Sequence, residues 1–366
     1  MCSVPQAVSV FVLLAVSFAT AGEEFESDWH LEEFEEKPCA VEKPYSFKLG
    51  VSPMGGYNSN VITLGDGLPL PEGVSHEDAG FFEIGTAATF DWKAAAVGDF
   101  VPDQFTASYK YTQDFYQGIS GYDLGEHSWS AKYTHRFNKQ WDYNIEADDI
   151  YDTFDGHSYS NRILIASALD FEAVKYASKV AKQLTTGLVF SFGNKDVFFT
   201  PSIPARNTDA DKYVVQLSEV FVPLKYDAAT FTVCYLHFWN DAEGSDYDYA
   251  RNRLQFRVDA RFSNKPENRW YDLKATINYS HDFDCYDHPN SHAGPTGFAF
   301  KKRDNEDTLG TTLSFDVSKY QDGNSKFAIN FQYQYFRDNS NVAFFNYGQH
   351  VVQAGCTVTF DDMTSR

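Results

Sequence analysis

Hydrophobic and polar residues alternate along most of the chain after Tyr45, with a period of two rather than the 3.6-residue period of a helix. The clearest run covers residues 253–262, where every second residue is apolar. Its apolar members are Leu254, Phe256, Val258, Ala260 and Phe262, and its polar members are Arg253, Gln255, Arg257, Asp259 and Arg261. This pattern predicts β-strands that have one apolar face and one polar face.

The same alternation recurs through nearly the whole chain, and it predicts about fourteen strands. A soluble β-sandwich shows such alternation in several strands but seldom in almost all of them. An even number of strands suits a closed, antiparallel transmembrane β-barrel, and we assign residues 45–360 to it. The expected strands begin near Tyr45, Phe82, Phe105, His127, Trp141, Ile163, Leu184, Tyr213, Phe231, Leu254, Tyr271, Leu309, Phe327 and Gln349.

The connections between the expected strands alternate in length, as they do in barrels with short periplasmic turns and long extracellular loops. The short ones cover residues 138–140, 223–230, 263–268 and 318–325. The long ones are rich in Asp, Asn, Gly and Pro and cover residues 53–80, 193–211, 283–307 and 337–347.

Aromatic residues flank several of the short turns, which is typical of the girdles at the two membrane interfaces. We predict that a set of apolar and aromatic residues faces lipid or lies in a girdle: Trp129, Phe137, Trp141, Leu254, Phe256, Phe262, Trp270, Tyr271 and Phe360. Phe360 ends the last strand, and the polar tail 361–366 follows it. In this feature the chain resembles bacterial outer-membrane β-barrel proteins, whose last strand ends in an aromatic residue read by the barrel-insertion machinery.

Residues 45–61, which contain the sequence GGYNSNV, resemble the first strand of the barrels of about fourteen strands in surface lipoprotein assembly modifiers. The resemblance implies a barrel over residues 45–360 and, in that family, a role in protein export. Such proteins usually carry helical repeats before the barrel. Residues 22–44 are too short to form a repeat array, so the export role is not carried over.

Composition narrows the class of protein further. Aromatic residues make up 17% of the 366 residues, yet the mean hydropathy is −0.42, so the apolar residues are dispersed. This excludes membrane-spanning helices, which need about 20 consecutive apolar residues, and the aromatic content excludes a disordered chain. The formal charge of −21 excludes nucleic acid as a partner.

The N-terminus has the features of an export signal. An apolar stretch covers residues 7–19, and Ala19-Thr20-Ala21 fits the cleavage pattern of small residues, so residues 1–21 are predicted to be a signal peptide. A buried N-terminal helix is the alternative. Residues 22–44 are rich in Glu and are predicted to be an acidic periplasmic segment, either a solvated tail or an arm that binds a partner.

Charged residues on the polar face are predicted to line the interior of the barrel, where charge selects solutes. The alternative is that they are ordinary hydrated or ion-paired residues of the interior. Basic residues fall on the third and fourth strands and again on the tenth and eleventh, and acidic residues fall on the fifth and sixth. The basic residues of strands three and four are Lys110, Lys132 and Arg136, and those of strands ten and eleven are Arg253, Arg257, Arg261 and Lys274. The acidic residues of strands five and six are Asp142, Glu146, Asp148, Asp170 and Glu172.

Sequence signals of catalysis are poor, because the chain contains no nucleophile elbow and no phosphate-binding glycine loop. We therefore predict no enzyme activity, no cofactor and no metal. The run 279–292 holds His281, Asp282, Asp284, Asp287 and His288, which could bind a metal, but an acidic surface loop is the favoured interpretation.

Together these features predict a porin-like channel of the bacterial outer membrane that passes small polar solutes by diffusion. Its expected partners are outer-membrane lipid, the solutes and the barrel-insertion machinery. The alternatives are the barrel of a surface-protein export system, a structural or adhesive barrel, and a soluble β-propeller or sandwich.

Overall fold

The computed structural model describes residues 44–361 except 64, 66–67, 71–75, 95–101, 120, 139, 174–180, 200, 224–227, 264–271 and 318–324. The predicted signal peptide, almost all of the acidic segment and residues 362–366 of the polar tail lie outside the described residues.

The chain forms fourteen β-strands. The strands are β1 (Tyr45–Asn58), β2 (Ala79–Lys93), β3 (Gln104–Tyr116), β4 (Leu124–Asn138), β5 (Trp141–Phe154), β6 (His157–Glu172), β7 (Ala181–Val197), β8 (Ala210–Pro223), β9 (Ala229–Ala242), β10 (Tyr249–Ser263), β11 (Asp272–Pro289), β12 (Lys301–Asp316), β13 (Ser325–Ser340) and β14 (Tyr347–Asp361).

Each strand pairs with its sequence neighbours, and β1 pairs with β14, so the sheet closes into a barrel. At the closure the strands are antiparallel, with Val51 opposite Val358 and Asn58 opposite Val351. Closure leaves no unpaired sheet edge, which is what a spanning structure needs in hydrocarbon, where backbone groups have no water to bond. The predicted closed, antiparallel barrel of fourteen strands is confirmed.

The two faces of the wall differ in polarity and in exposure. On β10, Leu254 is 38% exposed and its neighbour Gln255 is 3% exposed, because alternate side chains point to opposite faces. The exposed face carries large apolar side chains on every part of the wall, such as Phe82, Ile145, Phe190, Leu217, Ile277 and Phe331. An apolar outer face around a polar interior is the arrangement of an outer-membrane barrel. Among the residues that the structure describes, no helix has the length and apolar character needed to cross a bilayer.

Both ends of the barrel lie at one rim, which we call the periplasmic rim. The described residues of the connections 59–78, 117–123, 155–156, 198–209, 243–248, 290–300 and 341–346 lie at the other, the extracellular rim. The strands reach further toward the extracellular rim than predicted. β1 continues through Pro53 to Asn58, and β11 continues to Pro289.

One extracellular connection is also much shorter than expected. Asp155 and Gly156 alone join β5 to β6, and both residues have a positive φ, 50° and 74°. Two consecutive positive φ values are required by the tight hairpin turn that matches strand twist, which explains the Asp-Gly sequence. The predicted alternation of short and long connections is therefore wrong at this position.

Candidate functional site: the barrel interior

The inner faces of β2 and β3 carry polar and small side chains that reach solvent inside the barrel. Lys110, on the inner face of β3, is exposed, as is its cross-strand partner Ala87 on β2. Further along the same wall, the hydroxyls of Ser108 and Ser130 lie 2.6 Å apart. A lysine ammonium is strongly hydrated, so its exposure on the inner face indicates water-accessible space beside this part of the wall.

The predicted basic ladder on β10 lies on the inner face but is divided into a buried and an accessible part. Arg253 is buried and bonds through Nε and Nη2 to the Asp282 carboxylate, at 2.7 and 2.6 Å. Arg257 is only half-buried, with its Nε 2.7 Å from Asp259 Oδ2, and Arg261 is exposed. The three arginines therefore do not form a continuous row of unpaired positive charge, because Asp282 of the neighbouring strand neutralises Arg253, the member nearest the extracellular rim.

Lys274 on β11 lies toward the periplasmic rim beside Arg261, its register partner. Its ammonium is half exposed and lies 2.9 Å from Asp316 Oδ2 on β12. An exposed ion pair of this kind contributes little to stability, but it keeps both charges at the accessible end of the interior.

The predicted acidic group on β5 and β6 contacts the predicted basic group on β4. Arg136 donates from Nε and Nη2 to the two Asp142 carboxylate oxygens, at 2.6 and 2.8 Å. Lys132 is the register partner of Glu146, and Asp170 accepts a bond from Asn144 at 2.9 Å. The predicted basic and acidic groups thus adjoin at the β4–β5 pair, where their charges meet across the strands. Asp148 and Glu172 are half-buried on the same inner wall.

The strongest electrostatic feature of the interior is a group of charges on β10 to β13 that sequence reasoning did not identify. We call it the buried charge network: Arg251, Arg253, Asp282, Asp284, Lys302, Asp304, Glu306 and Asp338. At its centre, Arg251 donates to Asp284 through Nε and Nη2, at 2.7 and 2.6 Å, and Nη2 also lies 2.9 Å from Glu306 Oε1. Asp282 is 2.9 Å from Arg251 Nη1 and is shared with Arg253.

Strand register creates this network. Arg251 lies opposite Asp284 and Arg253 opposite Asp282 across the β10–β11 pair. On the other side of β11, Asp284 lies opposite Asp304, and Asp282 lies opposite Glu306. Alternate residues of each strand share a face, so all of these side chains converge in the interior.

The predicted acidic surface loop at residues 281–288 is therefore wrong. These residues belong to β11, and Asp282 and Asp284 are buried inside the barrel. Burial of a carboxylate is tolerated when it is paired and hydrogen-bonded. The arginines of β10 meet that condition, so the strand continues where the local polarity favoured a loop.

The network extends to the extracellular rim through Lys302. Its ammonium lies 2.6 Å from Asp304 Oδ2 and 3.1 Å from the Tyr286 hydroxyl, and it sits 3.6 Å above the centre of the Phe345 ring. Tyr286 also donates to Asp304 at 3.2 Å. Charge pairs and a cation–π contact thus connect the wall to the connection 341–346.

A small apolar cluster fills the interior next to the network. Val214, Leu236 and Phe238 on β8 and β9 are buried together, with Tyr249 packed against them. The Arg251 guanidinium lies 5.4 Å from the centre of the Phe238 ring. The extracellular half of the interior is therefore filled along β8 to β12, while the wall at β2 and β3 stays accessible.

Four extracellular connections contact one another above this filled region, and we call their described residues the loop layer: 198–199, 201–209, 243–248, 290–300 and 341–346. Arg206 Nε donates to Ser291 Oγ at 3.0 Å, and Asp246 accepts from the Ser291 backbone N–H at 2.7 Å. His292 stacks on Phe344 at 4.2 Å between ring centres. Burial and the neighbouring Arg206 lower the pKa of His292, which favours the neutral form of its imidazole.

Most of the predicted lipid-facing residues lie on the outer face. Leu254 and a set of exposed aromatic residues do so, namely Trp129, Phe137, Trp141, Phe262 and Phe360. Phe256 shares the outer face of β10 but is half-buried. Trp270 and Tyr271 lie outside the described residues.

Three Tyr-x-His sequences on the outer face form a polar feature that sequence reasoning missed. In each, the tyrosine hydroxyl and the histidine Nδ1 contact one shared side chain: Asp103 for Tyr133 and His135, Asn252 for Tyr235 and His237, and Asp307 for Tyr279 and His281. The spacing of two residues places both rings on one face of a strand. Each shared carboxylate or amide thus provides partners for polar atoms on the outer, apolar side of the wall.

Comparison with known proteins finds similarity only at the level of fold. No protein-family model matches the chain, and no curated protein matches its sequence. Among solved structures, the chain is similar to OccAB3 of Acinetobacter baumannii, with a TM-score of 0.44 at 7% identity over 87% of this chain and 99% of that one.

Two further solved structures are similar to the same degree. The outer membrane channel DcaP of Acinetobacter baumannii has a TM-score of 0.41 at 10% identity, over 87% of this chain and 97% of that one. The outer membrane protein OprD of Pseudomonas aeruginosa has a TM-score of 0.40 at 9% identity, over 87% and 94%. At this level of agreement, the function of the present barrel has to be argued from its own residues.

Proposed function

We propose that this protein is a channel of the bacterial outer membrane through which small polar solutes diffuse passively. The observation that carries the proposal is the accessible, polar inner wall at β2 and β3, where Lys110 is exposed inside a closed barrel. In a barrel of eight strands the interior side chains can just fill the enclosed space, and a barrel of fourteen strands encloses more space than that.

The accessible path is bounded on one side by the buried charge network and the loop layer. The network and the loop layer narrow the space inside the extracellular half of the barrel, so the wall at β2 to β5 lines the path. That lining carries both signs of charge, because Lys132 lies opposite Glu146, and Glu83 lies opposite Asp114 on the two strands that also carry Lys110 and its partner Ala87. A lining of mixed charge favours small, hydrated, polar solutes over apolar ones.

Toward the periplasmic rim, Arg257 and Arg261 supply positive charge to the path. Both lie on the inner face and are accessible, in contrast to Arg253. In a channel with low-dielectric walls, such charges focus the potential and change which ions enter. We therefore expect them to influence ion selectivity, while Arg253 contributes to stability.

We expect the refolded protein to open ion-conducting channels in planar bilayers, and the double variant Arg257→Glu/Arg261→Glu to shift the reversal potential in a salt gradient toward cations. The shift should shrink at high salt, since the screening length falls to about 3 Å at 1 M. The matched control is Arg257→Lys/Arg261→Lys, which keeps both charges and should behave as the wild type.

An unchanged reversal potential in open channels of the Glu variant would place Arg257 and Arg261 outside the permeation path. A wild-type chain that inserts but never conducts would overturn the channel proposal. In that case we would instead propose a structural role for the barrel, with the loop layer as its functional surface.

A further inference from the structure

The buried charge network contains more negative than positive groups. Its five carboxylates are Asp282, Asp284, Asp304, Glu306 and Asp338, and its three cations are Arg251, Arg253 and Lys302. If all eight groups are ionised, the network carries a formal charge of −2. Uncompensated charge is costly at a buried site, so the excess calls for either a bound cation or bound protons.

Two carboxylate oxygens of the network are buried and accept no hydrogen bond from any described residue. They are Oδ1 of Asp304 and Oδ1 of Asp338, whose residues are 2% and 4% exposed. Asp304 uses only its other oxygen, which meets Lys302 and Tyr286. Buried acceptors are nearly always satisfied in native proteins, so these two oxygens point to a ligand that interacts with anionic oxygen.

The geometry places several carboxylates around one point. One oxygen from each of Asp284, Asp304 and Glu306 lies within 4.8 Å of the others. Asp338 is the register partner of Glu306 on β13 and projects from the same inner face. Oxygen ligands that each lie 2.3–2.6 Å from a calcium ion are separated by such distances.

We propose that Asp304, Glu306 and Asp338, together with Asp284, bind one divalent cation of the calcium type inside the extracellular half of the barrel. All of the donors are carboxylate oxygens, which suit hard cations better than zinc or copper, whose sites usually include His or Cys. Calcium is favoured over magnesium because it accepts irregular arrangements of six to eight oxygens, while magnesium demands a near-ideal octahedron.

A divalent cation would reduce the formal charge of the network from −2 to zero. It would also join β11, β12 and β13 just below the loop layer, next to Lys302 and its contact with Phe345. The site is separate from the accessible wall at β2 and β3, so the inference does not depend on conduction.

The test measures binding of Ca²⁺ and of Mg²⁺ by isothermal titration calorimetry to the full-length, metal-depleted protein in detergent micelles. We expect one saturable Ca²⁺ site per chain and weaker binding of Mg²⁺. Asp338→Asn and Asp304→Asn should each weaken Ca²⁺ binding at least tenfold, because each removes a charged ligand. The matched control is Asp316→Asn, which changes a carboxylate of the same strand and face near the other rim.

Heat-dependent mobility in gels verifies that each variant forms the barrel. If neither Asn variant folds, the midpoint of thermal unfolding of the wild type is compared in Ca²⁺ and in chelator, and we expect a higher midpoint in Ca²⁺. The proposal is overturned if the wild type binds no Ca²⁺ saturably. It is equally overturned if folded Asp304→Asn and Asp338→Asn bind Ca²⁺ as tightly as Asp316→Asn, or if Ca²⁺ leaves the midpoint unchanged.

Discussion

Replacement of Arg251 by methionine is expected to destabilise the barrel by about 3–5 kcal/mol, the cost of removing one partner from a buried ion pair. Arg251 is the shared partner of Asp282, Asp284 and Glu306, so its loss leaves three carboxylates close together in a buried site. Methionine keeps an apolar stem of similar length and isolates the loss of charge. Urea unfolding in lipid vesicles, followed by tryptophan fluorescence, measures the change.

Arg257→Met is the matched control on the same strand and face. The Arg257 side chain is 28% exposed and pairs with Asp259, also partly exposed, so its removal should cost about 0–1 kcal/mol. A similar loss of stability in both variants would contradict the division of the β10 arginines into a buried and an accessible group.

The second large effect concerns the outer face of β13. Phe331→Arg is expected to cost about 2–4 kcal/mol, because an arginine near the bilayer midplane faces hydrocarbon. Phe331 is 43% exposed on the outer face and lies near the middle of the strand. Unfolding in vesicles of two acyl-chain lengths measures the cost and its dependence on depth.

Gln332→Arg, one residue along, is the control for Phe331→Arg. Gln332 lies on the inner face, where its Oε1 accepts from Gln353 Nε2 at 2.8 Å and the side chain is half-buried. An arginine there reaches the polar interior and should cost much less than one at position 331. Equal costs at the two positions would show that the inner and outer faces have been assigned incorrectly.

The fold was predictable because its main signal is local. The alternation in residues 253–262 depends only on which neighbours are apolar, and one side of the wall faces lipid while the other faces polar space. Closure of the sheet follows from the contact with lipid, because the backbone N–H and C=O groups of an open edge would have no hydrogen-bond partners in hydrocarbon. These constraints act on every strand, so fourteen weak signals combine into a strong one.

The ends of the strands were less predictable, because they depend on residues from other strands. Asp282 and Asp284 lie in a stretch rich in charge, which on its own favours a loop. They remain in β11 because Arg251 and Arg253 lie opposite them in the register. Sequence reasoning could have detected the pairing, since acidic residues recur at alternate positions of β11 and β12 and arginines at alternate positions of β10.

The roles of individual interior residues were the least predictable part. Arg253 and Arg257 are both arginines on the same face of the same strand, so nothing in the sequence distinguishes their roles. Their difference comes from depth along the barrel: Arg253 lies among Asp282 and the buried side chains of β9 to β12, and Arg257 lies toward the accessible periplasmic half. Depth and neighbouring strands are properties of the assembled barrel.

Swelling of liposomes that contain the refolded protein is the direct test of passive diffusion through the barrel, because it measures the passage of uncharged solutes in the absence of an electric field. We expect rapid swelling in iso-osmotic solutions of a small sugar such as arabinose, slower swelling as the sugar becomes larger, and none in dextran. Swelling in arabinose no faster than that of protein-free liposomes, with insertion verified by heat-dependent gel mobility, would contradict a passive channel for small polar solutes.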